Sequence, residues 1–93
     1  MINKTVTLTT SFDICFDPES DEVKETLASY RGSIFSDGTI DDILKDISHN
    51  IVHGKHGGLM EGIGYIKWRG AVPDEPYSGF ELVSLYRHEP EIT

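Results

Sequence analysis

The sequence predicts an α+β domain in which two helices pack on one face of a three-stranded antiparallel sheet, in the order strand, helix, helix, strand, strand. Three observations carry that prediction. The first is a run from Thr5 to Phe16 that alternates apolar and polar side chains without a break. The second is an apolar stripe at helical spacing from Ile40 to Ile51. The third is a pair of apolar and aromatic runs near the end of the chain, separated by a loop containing Pro73 and Pro76. Ninety-three residues fit one compact domain, 1–93, with no internal repeat, low-complexity tract or linker.

In the first strand, Val6, Leu8, Thr10, Phe12, Ile14 and Phe16 share one face, and Thr5, Thr7, Thr9, Ser11, Asp13 and Cys15 the other. Period two in β-branched and aromatic residues marks a strand with one face packed and one in water. That alternation favours an antiparallel sheet, because all-parallel sheets bury both faces. Asp17-Pro18-Glu19-Ser20 then supplies helix-start chemistry, with Asp17 or Ser20 as N-cap. Val23, Leu27 and Tyr30 repeat at helical spacing, and Gly32 offers a C-terminal cap. Ser36-Asp37-Gly38 reads as a turn, and Thr39 with Asp42 resembles a capping box with Asp in place of Glu. The second helix carries Ile40, Ile43, Leu44, Ile47 and Ile51 in one sector and stops at Gly54. Leu59 to Arg69 is expected as the second strand, where Gly62 and Gly64 suggest a bulge or a close approach of another backbone. Phe80 to His88 is expected as the third, after a loop over Gly70 to Gly79 that its prolines stiffen.

Charge narrows the function classes. Sixteen acidic residues against eight basic ones leave a net charge of −8. Direct nucleic-acid binding is not expected, since each phosphate contact needs a Lys or Arg, and an anionic membrane is disfavoured for the same reason. The imbalance is concentrated: residues 13–46 hold ten acids and only Lys24, Arg31 and Lys45, which accounts for −7 of the total. No apolar run is long enough to span a bilayer, the opening Met-Ile-Asn-Lys-Thr has no apolar signal core, and Cys15 has no disulfide partner. A cytoplasmic protein is the expectation.

Four features could carry chemistry. His49, His53 and His56 surround the end of the second helix, and His at i and i+4 can ligate zinc. The spacing matches no zinc signature, however, and helix C-termini favour His for dipole reasons alone, so these are weak metal candidates. Cys15 could pair with a histidine, but a cysteine within a strand reads better as a small hydrophobe. The glycines at 54, 57 and 58 follow a helix and lack the phosphate-loop signature. No cofactor and no catalytic group is expected.

The acidic helices are the strongest candidate. Asp21 and Glu25 stand one turn apart on the face opposite Val23 and Leu27, with Glu22 beside them, and Asp42 and Asp46 repeat the spacing on the second helix, where they are expected to point outward, away from the isoleucine stripe. Like charges at i and i+4 destabilise a helix by about 0.2–0.5 kcal/mol per pair, so the repetition asks for a compensating use. Ordered carboxylates can imitate the phosphate spacing of a duplex and occupy a protein's nucleic-acid groove. The plainer alternative is a solvated face that aids solubility. The fourth feature is the aromatic set Tyr65, Trp68, Tyr77, Phe80 and Tyr86. The runs around them place apolar residues on both sheet faces, and an uncovered face would suit protein contact or dimerisation.

Size, acidity, the order of elements and the lack of catalytic or metal signatures together resemble small phage-encoded inhibitors of bacterial defence, in particular anti-CRISPR proteins. The resemblance is one of type over the whole chain. It implies binding to a CRISPR surveillance complex, of the type I Cascade-like kind, along its basic path for guide or target DNA, as a DNA mimic in charge. Under it Asp21, Glu22, Glu25, Asp41, Asp42 and Asp46 would pair with Lys and Arg of that partner. A second expectation is a small dimeric regulatory domain using the sheet and the Pro73 to Pro76 loop, so the chain is expected as monomer or homodimer. A small hydrolase or metal enzyme ranks last.

Overall fold

The computed structural model describes residues 1–54 and 58–93. Among the described residues it is an α+β fold with seven elements in chain order: β1 (Val6–Thr7), β2 (Thr10–Cys15), α1 (Asp21–Ser33), α2 (Ile40–Val52), β3 (Tyr65–Trp68), β4 (Tyr77–Arg87) and β5 (Glu91–Ile92). Two sheets result, a pair β1-β5 and a three-stranded sheet in the order β2-β4-β3.

The expected first strand is therefore two strands. β2 pairs antiparallel with β4, while Val6 and Thr7 pair with Ile92 and Glu91 on the fifth strand that sequence reasoning missed. Backbone bonds between Thr5 and Thr93 and from His88 to Thr9 carry this ladder outward as an exposed two-stranded ribbon.

The expected antiparallel relation of the last two long strands is overturned. β3 runs parallel to β4, with Tyr65 opposite Tyr77 and Trp68 opposite Leu82. Parallel neighbours usually need a crossover of a dozen or more residues, but β3 has only four residues and is about 13 Å long, so residues 69–76 suffice to return the chain. The strand expected from Leu59 begins only at Tyr65 because residues 61–64 turn sharply, with Met60 bridging Gly64 and both Gly62 and Gly64 at positive φ. Gly64 does admit another backbone: a Cβ there would lie 2.6 Å from the Pro76 carbonyl oxygen, which accepts from the Tyr65 N–H.

α1 starts at Ser20, whose hydroxyl accepts from the Val23 N–H at 3.3 Å. It runs through Gly32, the expected cap, and ends at Ile34. α2 starts with the full Thr39–Asp42 capping box. Val23 and Tyr30 from α1 and Ile43, Ile47 and Ile51 from α2 meet Met60, Ile63, Ile66, Phe80 and Leu82 in one core.

A bulge shapes the sheet. Asp13 lies opposite Ser84 and Ile14 opposite Leu82, so Val83 is an extra residue on β4. The extra residue resets the alternation: Phe80 and Leu82 are fully buried, and Leu85 packs on the core with its partner Phe12, while Val83 is exposed. The other face is correspondingly less apolar than the sequence suggests. There Ser84 donates to Asp13 at 2.7 Å, Ser11 bonds the His88 ring at 2.8 Å, and Lys67 stands opposite Glu81.

Candidate protein-interaction face

The six carboxylates singled out from the sequence divide into two kinds. Asp21, Glu22 and Glu25 occupy the first turns of α1 and are exposed. They lie there because the opposite side of the helix is fastened to β4. Val23 is buried, the Thr26 hydroxyl donates to the Ser78 carbonyl at 2.8 Å, and Gly79 leaves room for Val23 and the Glu22 Cβ. None of the three makes a hydrogen bond or ion pair with a described residue; the one ion pair among the described residues is Lys24 with Glu19, 3.5 Å apart on the surface. Asp21 and Glu22 also suit the positive end of the helix dipole. Asp41 is exposed in the first turn of α2. Because α1 is about 20 Å long, Asp41, just past its far end, forms a second acidic spot apart from the first.

Asp42 and Asp46 are engaged within the fold. The backbone N–H and hydroxyl of Thr39 donate to Asp42 Oδ2 at 2.9 and 3.0 Å, and these bonds hold the Asp42 carboxyl below the usual range. The Asp46 carboxylate accepts from the Tyr30 phenol at 2.6 Å, joining α2 to α1. That bond, with burial and the charges of Asp46 and Asp42 adding to it, pushes Tyr30 up to about 12. Asp46 was expected to point outward, and it lies instead at the seam between the helices.

What the sequence did not disclose is the surface beside α1. Glu22 and Glu25 form one wall of a recess of about 200 Å³ whose other walls include Thr26, Ser29, Ile63, Pro76 and Tyr77. Tyr77 is half-buried, and its phenol is raised by burial first, then by the charges of Glu81, Glu22 and Cys15. The chain reaches Tyr77 through the 69–76 return, and the Thr26–Ser78 bond sets the start of β4 against α1 beside it. Two carboxylates beside an aromatic ring make a receptor for a cationic side chain, through charge-assisted hydrogen bonds and contact with the ring.

The histidines are only partly placed. His49 and His53 are adjacent, their ring centroids 4.3 Å apart, and His56 lies outside the described residues. Among the described residues no group of three His, Cys, Asp or Glu is arranged to hold a metal ion. Cys15 is exposed on β2, and the 54–58 glycine stretch falls partly outside the described residues. Among the described residues no helix is long and apolar enough to cross a membrane. No family model matches the chain, and no curated protein or solved structure is significantly similar to it.

Proposed function

We propose that the protein acts by binding a protein partner with a basic, nucleic-acid-handling surface. Glu22 and Glu25 receive a lysine or arginine of that partner in the recess beside Tyr77, Asp21 strengthens the local field, and Asp41 makes a separate contact. The recess carries this reading, because it turns a row of solvated carboxylates into a concave site with a defined chemical preference. The net charge of −8 supports it from a distance, by steering a cationic surface into encounter and repelling nucleic acid itself. The sharper form rests on the resemblance to anti-CRISPR inhibitors: the partner is a Cascade-like surveillance complex, and occupancy of its DNA path blocks nucleic-acid binding. Under both forms the chain works without catalysis, cofactor or metal.

Affinity capture from bacterial lysate at low salt, followed by a high-salt wash and mass-spectrometric identification, tests the proposal. The expected catch is a basic nucleic-acid-handling complex released by the wash, since at about 1 M salt the Debye length shrinks to roughly 3 Å. A catch that survives high salt, or one without nucleic-acid-handling proteins, contradicts the proposal.

A further inference from the structure

We infer that β2 is a self-pairing edge: two copies of the chain join β2 to β2 antiparallel about a two-fold axis at Phe12, fusing their three-stranded sheets into one with all the helices on the same side. The inference is independent of the acidic recess and rests on the strand's open backbone, its side chains and its charge.

β2 is an outer strand whose neighbour in the sheet is β4. The His88 N–H donates to the Thr9 carbonyl at 2.9 Å, so the bonded pairs of this antiparallel ladder fall at Thr9, Ser11 and Asp13. By that alternation the N–H and C=O groups of Thr10, Phe12 and Ile14 point away from β4, and no loop, turn or side-chain hydrogen bond from a described residue reaches them. Edges left open in folded proteins are normally blunted by proline, lysine or a bulge. The opposite edge, β3, is blunted: it is four residues long and contains Lys67. β2 is not, since Thr-Ser-Phe-Asp-Ile-Cys has no proline, lysine or glycine, and the bulge places its extra residue on β4.

The side chains are unfinished in the same place. Phe80 and Leu82 on the central strand are 0% exposed, while Phe12 and Ile14 beside them are only half-buried. A groove runs between β2 and α2, opening into hollows of about 450 Å³ beside Leu8, Phe12 and Val52 and about 380 Å³ beside Phe12, Ile14 and Leu44. An added strand bonded to β2 would drop alternate side chains over this groove.

Charge and symmetry select a second copy as the occupant. β2 carries a single acid, Asp13, residues 1–12 before that acid contain none and one base, Lys4, and Lys45, Arg87 and His88 line the groove beside it, so two copies meet along this edge with less repulsion than along the acidic side of α1. With Phe12 on the axis, Thr10 bonds the partner's Ile14 and every open group on the edge is satisfied. Asp13 then faces the partner's Ser11, whose hydroxyl is bonded to the partner's His88. An axis one residue further on would oppose two Asp13 carboxylates directly. Six residues span about 20 Å, and closing the groove over that length buries roughly 500 Å² per copy, which makes the dimer weak and concentration-dependent.

Light scattering of the intact chain from about 1 to 300 μM tests this; for such an interface the expected midpoint is in the micromolar range. The mass should rise from 10.4 kDa toward twice that value. Thr10→Pro deletes an outward N–H without touching the β4 ladder, and it should stay monomeric at every concentration with an unchanged circular dichroism spectrum. Should that variant fail to fold, cross-linking decides. Chains carrying Ser11→Cys mixed with chains carrying Asp13→Cys, both in a Cys15→Ser background, should form disulfide-linked heterodimers, because that pair sits at about 4.5 Å between Cα atoms. A wild-type chain that stays monomeric throughout overturns the inference. So does a folded Thr10→Pro that associates like wild type, or a mixture that cross-links no better than either chain alone.

Discussion

The two helices carry the same sequence pattern, carboxylates one turn apart, and use it in opposite ways. On α1, Asp21, Glu22 and Glu25 make no hydrogen bond with any described residue and face solvent or the recess beside Tyr77. On α2, Asp42 closes the capping box and Asp46 holds the Tyr30 phenol. The difference follows from what lies opposite each helix. α1 sits on the central strand and exposes its acidic side, whereas the sides of α2 are met by Thr39 at its start and by Tyr30 of α1 along its length. A repeated charge pattern is therefore no guide to a shared role; the hydrogen-bond partners decide.

The comparison can be broken by mutation, beginning with the core that anchors α2. Ile47→Ala removes a fully buried side chain from the stripe and should cost about 3 kcal/mol in denaturant unfolding, the middle of the range for such truncations. Asp46→Ala leaves the buried Tyr30 hydroxyl without its acceptor and should cost about 1–3 kcal/mol. If Asp46→Ala proves neutral, the α1–α2 contrast fails.

Alkaline titration sharpens the same point. Tyr30 is raised in the folded chain to about 12 from an ordinary value of 10.0. Its contribution is accordingly complete below pH 10 and is lost as pH climbs toward 12. A series of melting temperatures over that window should fall for the wild type and fall less for Tyr30→Phe. At the acid end the sign reverses. Asp42 is lowered by its bonds from Thr39, so its contribution is present above its ordinary value of 3.8 and disappears as pH drops through the lowered one. Thr39→Ala should cost about 1 kcal/mol at neutral pH and flatten that acid-side loss. The smallest effect belongs to α1: Glu25→Gln should change stability by less than about 0.5 kcal/mol, because no described residue bonds that side chain.

Much of the helical layer was legible from the residues alone. Ser20 and Thr39 cap where their side chains predict, and the isoleucine stripe of α2 is the core. These are local signals, decided within one or two turns. The sheet was less legible because its pairing is decided by contacts distant in sequence. Alternation from Thr5 to Phe16 is genuine, yet only pairing with β4 and β5 divides it into two strands. In Leu59 to Arg69 the glycines at 62 and 64 signalled a bulge or a close backbone approach, but not that they turn the chain, nor that four residues of β3 are few enough for residues 69–76 to return it in parallel. The recess inherits that blindness. Glu22 and Glu25 were visible as charges, but Pro76 and Tyr77 come beside them through contacts between α1 and the start of β4, such as Thr26 with Ser78, 52 residues apart in sequence. Asp42 and Asp46 were visible as charges too, and their partners, not their spacing, make them structural.

The central claim is that Glu22 and Glu25 of α1 serve a partner while Asp42 and Asp46 of α2 serve the fold. Capture from bacterial lysate run side by side with wild type, a Glu22→Lys/Glu25→Lys chain and an Asp46→Asn chain tests it most directly, with a melting temperature measured for each. The account predicts that the α1 variant stays folded, melting only a few degrees lower because a lysine at position 22 opposes the helix dipole, and loses the captured complex, whereas Asp46→Asn melts lower and keeps it. An α1 variant that holds the same complex at the same salt would contradict the account.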